Sequence, residues 1–216
     1  MAKIALIHTT PVTVQSLQNL IKTQRTDLEI INLVDDSILP ELINNNNQLD
    51  LVADRVNYYI KVAFSQKADL IMSACSSIGE IFEQAAANYP IPILRIDQAM
   101  ADQAVKSASK IAVAATLATT LKPSQKLLNK AASKQGKKIE LETALFTQAY
   151  QKLTAGDRQA HDQILAAGLQ KLLKRNDLVV LAQASMARAV NLLPTEVKNK
   201  FLTSPESGID LALSYL

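Results

Sequence analysis

An α/β fold of two lobes with parallel sheets is predicted for these 216 residues by three observations. Short β-type runs alternate with amphipathic helical stretches, the second half of the chain repeats the first, and polar residues gather just after the apolar runs. Strand and helix in turn imply a parallel sheet with helices on its faces. In order, "KIALIH" (Lys3 to His8) reads as a strand, "TVQSLQNLIKT" as a helix and "LEIINLV" (Leu28 to Val34) as a second strand. A long helix is expected from about Leu49 to Gln66, then a strand at "DLIMSA", a helix at "GEIFEQAAANY" and a short strand at "PILRI", Pro92 to Ile96. Only "INNNNQ" (Ile43 to Gln48) looks irregular; it is expected to be a solvated polar loop, with a lid over a strand end as the alternative.

The duplication shows when "KIALIHTTPVT" (Lys3 to Thr13) is set over "KIAVAATLATT" (Lys110 to Thr120). Lysine, isoleucine and alanine coincide, as do Thr9 with Thr116 and Thr13 with Thr120. Setting "ADLIMSACSSIG" (Ala68 to Gly79) over "NDLVVLAQASMA" (Asn176 to Ala187) matches Asp69 with Asp177, Leu70 with Leu178, Ala74 with Ala182 and Ser77 with Ser185, and it puts Cys75 on Gln183. Two matches in the same order at nearly the same offset indicate two pseudo-symmetric lobes, each Rossmann-like or flavodoxin-like, with a cleft between them. The boundary is placed near Gln98.

Composition removes several classes of function. Charge is nearly balanced, with 23 Lys and Arg against 20 Asp and Glu, and no basic block stands out, so nucleic acid is not an expected partner. The absence of Trp and the 4% aromatic content also argue against base-stacking surfaces. One cysteine excludes an intrachain disulfide, and no Cys-x-x-Cys or His-x-x-x-His spacing offers a metal site. With five glycines and neither G-x-G-x-x-G nor G-x-x-x-x-G-K, no nucleotide cofactor is expected. "MAKIALIHTTPV" runs directly into a strand and no apolar run approaches spanning length, so the expectation is a soluble cytoplasmic protein without a membrane partner.

Open α/β sheets bind ligands outside the carboxyl ends of their strands. That rule gathers Thr9, Thr10, Cys75, Ser76 and Ser77 from the first lobe, and Thr116, Thr119, Thr120, Gln183 and Ser185 from the second. Hydroxyls, an amide, a thiol and the N–H groups of helix starts suit a small carboxylate. Each residue also has a structural reading. Cys75 is either a small core residue or, before the helix start "SSIGEIF", a thiol whose thiolate is stabilised by that start. Gln183 and Ser185 are either capping groups or site groups, and one of the three threonines is a candidate cap for a helix beginning near Leu121. His8 ends the first strand as a structural group or as a second proton carrier. His161 belongs either to a solvated polar face with Asp157 and Arg158 or to a helix start aimed at the site. Arg95 is expected to pair with Asp97, with a substrate carboxylate as the alternative partner, and Lys137 to Ile139 reads as a surface turn before a strand.

Three segments in order carry a resemblance to the aspartate/glutamate/hydantoin racemase superfamily over essentially the whole chain. "ACSS" (Ala74 to Ser77) resembles its first cysteine motif, "ATLATTLKPS" (Ala115 to Ser124) its substrate-carboxylate loop, and "LAQASMA" (Leu181 to Ala187) stands where its second cysteine motif belongs. "TSPESG" (Thr203 to Gly208) resembles the return of the chain to the first lobe, giving residues 1–98 with 205–216 and residues 99–204 as the two lobes. The resemblance implies a cofactor-independent racemase or epimerase acting on a small carboxylate, in a homo-oligomer. Cys75 is then the acid/base or nucleophile. Thr9, Thr116, Thr119 and Thr120 anchor the carboxylate, while Ser76, Gln183 and Ser185 stabilise an enolate oxygen. The departure is Gln183, an amide that only donates and accepts hydrogen bonds where family racemases carry a thiol. A single-thiol lyase resembling the family's malonate decarboxylases and a non-catalytic binder of acidic metabolites are the alternatives.

Overall fold

In the computed structural model, which describes all residues from Met1 to Leu216, the alternation becomes two four-stranded sheets whose pairings are all parallel. The chain divides into two compact units, Met1–Ile96 with Pro205–Leu216, and Asp97–Ser204.

The first unit holds β1 (Lys3–His8), α1 (Val14–Gln24), β2 (Glu29–Val34), α2 (Ile38–Asn44), α3 (Asp50–Ser65), β3 (Leu70–Ser73), α4 (Gly79–Ala85) and β4 (Ile93–Arg95), in sheet order β2-β1-β3-β4. Both faces of β1 and β3 are covered, which is why these strands read as continuous apolar runs. Ala5, Ile7 and Ile71 pack on α3 and α4 through Val52, Val56, Ile60 and Phe82. On the other face, Ile4, Leu6, Leu70 and Met72 meet Leu17 and Ile21 of α1. Burying one such side chain contributes ~1.5–3 kcal/mol relative to leaving it exposed.

The second unit follows the same plan with α5 (Gln98–Ser107), β5 (Lys110–Ala115), α6 (Ala118–Lys134), β6 (Glu140–Leu145), α7 (Thr147–Thr154), α8 (Arg158–Leu173), β7 (Leu178–Leu181) and β8 (Phe201–Thr203), in sheet order β6-β5-β7-β8. α5 and α6 cover the face carrying Ile111, Val113 and Val180. α8 and the 3₁₀ segment Ala184–Leu192 cover Ala112, Ala114, Val179 and Leu181. The closing α9 (Ser204–Leu213) sets Ile209 and Ala212 into the core of the first unit.

The aligned Lys and Asp residues of the repeat make the same clasp in both units. Asp69 N–H donates to the Lys3 carbonyl at 2.8 Å and its carboxylate accepts from Lys3 N–H at 2.8 Å; Asp177 and Lys110 repeat both bonds at 2.9 Å. The clasp sets the register in which the central strands start together.

Two boundaries differ from expectation. α2 covers Ile38–Asn44, so Ile43 and Asn44 are helical, and the irregular stretch shortens to Asn45–Gln48 with Asn46 and Asn47 at φ 52° and 62°. The periodicity of so short a helix is hidden by Pro40, which is tolerated because it lies in the first turn. α6 starts at Ala118, not near Leu121, so Thr119 and Thr120 lie in its first turn. Leu117 holds the cap position and makes no side-chain cap bond, which removes the threonine-cap reading. No helix is long and apolar enough to cross a membrane.

Candidate active site

Each central strand ends in a backbone brace followed by a polar residue. Ala74 N–H bonds the Ile7 carbonyl and Ala182 N–H bonds the Ala114 carbonyl, both at 2.9 Å. The next residues take nearly one conformation: Cys75 at φ −140° and ψ 126°, Gln183 at φ −136° and ψ 136°. Both are extended cap residues of 3₁₀ turns, Ser76–Ile78 and Ala184–Leu192. The duplication therefore extends to the backbone that aims these two side chains.

Cys75 is a free thiol and is half-buried, while Ser76 and Ser77 behind it are buried. Thr9 follows β1, is 1% exposed, and carries a buried Oγ1 without a hydrogen-bond partner. Thr10 caps the turn Pro11–Thr13, its hydroxyl accepting from Val12 N–H at 3.4 Å. The first unit thus brings Thr9, Thr10, Cys75, Ser76 and Ser77 to the carboxyl edge of one sheet, as the strand order requires.

In the second unit, Gln183 sits at a cap position but does not cap. Its Oε1 accepts from Thr116 N–H at 2.6 Å and from the Thr116 hydroxyl at 2.9 Å. Two donors on one oxygen fix the flip of the amide, so the Nε2 group presents two donors on the far side. Thr119 and Thr120 are buried in the first turn of α6, and Thr119 Oγ1 has no hydrogen-bond partner. The start of α6, where Thr120 N–H bonds the Leu117 carbonyl at 3.2 Å, is the positive end of the helix dipole. Ser185 is half-buried one residue into the 3₁₀ segment. No group of three His, Cys, Asp or Glu side chains is placed to hold a metal ion.

His8 is fully buried, and both ring nitrogens are engaged: Nδ1 with Thr13 Oγ1 at 2.9 Å and Nε2 with Asn32 Oδ1 at 3.0 Å. Burial pushes its pKa below the ordinary 6.5, and the Asn32 bond only partly opposes this. Its folded pKa lies below its unfolded one, so its contribution to stability is complete above pH 6.5 and is lost as pH falls through the folded value. Thermal midpoints are accordingly expected to drop between pH 7 and pH 5, and His8→Gln is expected to flatten that part of the profile; a profile unchanged by the substitution would place the acid sensitivity elsewhere.

His161 is also fully buried, contrary to the solvated polar face expected for its segment. Arg95, 5% exposed at the end of β4, bonds Glu83 Oε1 at 3.1 Å, a partner outside the sequence reading. Its guanidinium lies over the first turn of α4, where a Cβ at Gly79 would come within 2.7 Å of it. The legible signal was Gly79 itself, one of only five glycines, placed directly behind the Cys75 turn.

The family model for Asp/Glu/Hydantoin racemase matches residues 4–212. Among solved structures, the aspartate racemase of Picrophilus torridus superposes with a TM-score of 0.75 at 15% identity, over 100% of this chain and 94% of the other. A glutamate racemase from Bacillus anthracis gives 0.74 at 16% identity over 99% and 81%, and the allantoin racemase of Klebsiella pneumoniae gives 0.67 at 16% over 99% and 87%. A search of curated protein sequences finds no match. At these identities the superpositions establish the fold, and the family match over nearly the whole chain establishes the kinship: the chain belongs to the Asp/Glu/hydantoin racemase family.

Proposed function

We propose that the chain is a cofactor-independent isomerase of racemase or epimerase type, acting on a small carboxylate such as an amino acid or a derivative, with Cys75 as its acid/base or nucleophile. The observation that carries the proposal is the placement of the only thiol, half-exposed, one residue past the brace that ends β3 and at the entry to α4. In this reading the Thr119 hydroxyl and the N-terminal turn of α6 take the carboxylate, joined by Thr9, Thr116 and Thr120. The Nε2 donors of Gln183, with Ser76 and Ser185, hold the enolate oxygen that develops when the α-proton leaves.

One observation favours a second reading. The Gln183 amide is locked as a hydrogen-bond donor and carries no exchangeable acid at the place where the repeat puts the partner of Cys75. A thiol serving one face of an enolate is the chemistry of a lyase that reprotonates after decarboxylation. Proton NMR in heavy water separates the readings, using both enantiomers of aspartate, glutamate and allantoin together with a disubstituted malonate. Cys75-dependent loss of the α-proton signal with interconversion of enantiomers is the expected result. Decarboxylation of the malonate alone would select the lyase. Saturable binding of these compounds without exchange in any of them would leave only a binding protein.

A further inference from the structure

We infer that the outer face of α3 is a self-association surface, on which α3 of a second copy of this chain docks antiparallel about a two-fold axis beside Tyr58. The inference lies wholly within the first unit and stands apart from the chemistry proposed above.

α3 carries two opposed stripes. Val52, Val56, Ile60 and Ala63 turn inward and are fully buried in the core of the first unit. The other side presents Leu51, Asp54, Tyr58, Lys61 and Ser65, all exposed. Their spacing of three, four, three and four residues is the rhythm of a coiled-coil seam, and it holds one line of side chains along the helix for ~21 Å. A helix that covers a sheet turns polar residues to water on this side. Here Tyr58 is 62% exposed and Leu51 is 49% exposed, one heptad apart on the same line. Apolar side chains scattered singly over a surface need no partner, whereas two on one seam with unpaired charges among them form a patch.

Charge decides the occupant. The ion pairs of α3 within the chain belong to Arg55, which reaches Asp35 at 3.7 Å and also Glu41. Asp54 and Lys61 have no such partner. They stand seven residues apart, ~10 Å along the axis, too far to pair with each other. A second α3 laid parallel would set Asp54 against Asp54 and Lys61 against Lys61. Laid antiparallel about an axis between Asn57 and Tyr58, it brings each Asp54 level with the partner's Lys61.

The side chains also fall on the correct side of the seam. Around the helix, Asp54 lies ~40° and Lys61 ~60° from Tyr58 in the same direction. A two-fold axis across the seam keeps residues of one side together, so both opposite-charge pairs form beside the two tyrosines. The contact is isologous: one patch serves both copies. Tyr58 places a large ring with a polar tip near the axis, the type of side chain enriched at the centre of interfaces. A membrane surface or a nucleic acid calls for positive charge alone, and this stripe carries one charge of each sign. One helix from each copy makes a small contact, of the weak and transient class.

Sedimentation velocity of the full chain between ~10 μM and ~0.5 mM is expected to show reversible dimers that weaken with added salt. Asp54→Lys and Lys61→Asp each turn both attractive pairs into repulsive ones, and each alone is expected to raise the dissociation constant ~10-fold or more. An equimolar mixture of the two variants is expected to associate again, because every reversed charge then faces its opposite. The double variant D54K/K61D is expected to dimerise as wild type does. Should a reversal not fold, Lys61→Gln serves in its place, with loss of the salt dependence as its readout. A wild-type chain still monomeric at ~0.5 mM would overturn the inference and leave the stripe to a different protein or to water. Dimers that both reversals leave intact, a mixture that stays monomeric, or a salt dependence that survives Lys61→Gln would each overturn it as well.

Discussion

Cys75→Ala is expected to abolish turnover, by roughly two to four powers of ten, because removing a positioned acid or base takes away its share of transition-state stabilisation. Stability is expected to change little. The side chain is half-buried and packs at the margin of the core under α3 and α4, and alanine keeps the extended backbone that the cap position demands. A loss of activity with a thermal midpoint within a few degrees of wild type assigns the thiol to chemistry. Activity retained in Cys75→Ala would remove the thiol from the mechanism. Alkylation gives a parallel readout: iodoacetamide has one cysteine to modify, and protection by a bound carboxylate would report occupancy beside it.

Gly208→Ala is expected to destabilise the fold by about 1–3 kcal/mol, lowering the thermal midpoint by roughly 2–10 °C for a chain of this size. A Cβ at position 208 would stand 2.2 Å from the Ile96 carbonyl oxygen and 3.0 Å from its carbonyl carbon, both backbone atoms at the end of β4. Neither moves without shifting the strand end or lifting α9, whose Ile209 and Ala212 are fully buried. Gly168 is an instructive contrast. Its Cβ would come as close as 2.1 Å to the Phe146 ring, but that ring is a side chain and can rotate away. Gly208→Ala is therefore expected to cost more than Gly168→Ala, and the reverse order in calorimetry would show that α9 yields more easily than the ring. Shortening Ile96 is not expected to rescue Gly208→Ala, since the nearest obstacle is the carbonyl oxygen.

Much of this was legible in the residues. Lys3 and Lys110, Asp69 and Asp177 matched in the alignment because each pair makes the same backbone clasp, and β1, β3, β5 and β7 read as apolar runs because both faces of each are covered. Cys75 and Gln183 fell on one another because one backbone turn is used twice. The short α2 was not legible, since seven residues containing a proline give no usable period. The start of α6 was missed because Thr119 and Thr120 suit a turn by propensity, while the helix that packs on the sheet through Leu127, Leu128 and Ala131 extends back over them.

The side-chain partners followed a different rule. Arg95 finds Glu83, one turn into a helix twelve residues earlier, a partner that adjacency in sequence did not point to. His8 and His161 looked alike as isolated histidines, yet one has both nitrogens occupied and the other has one bare. Periodicity and repetition are local properties of the chain, so the order of residues alone set the two parallel sheets, the strand ends that bear polar groups and the family. The direction of each hydrogen bond, the flip of the Gln183 amide and the free nitrogen of His161 depend on atoms brought together from distant segments, and only the packed tertiary structure decided them.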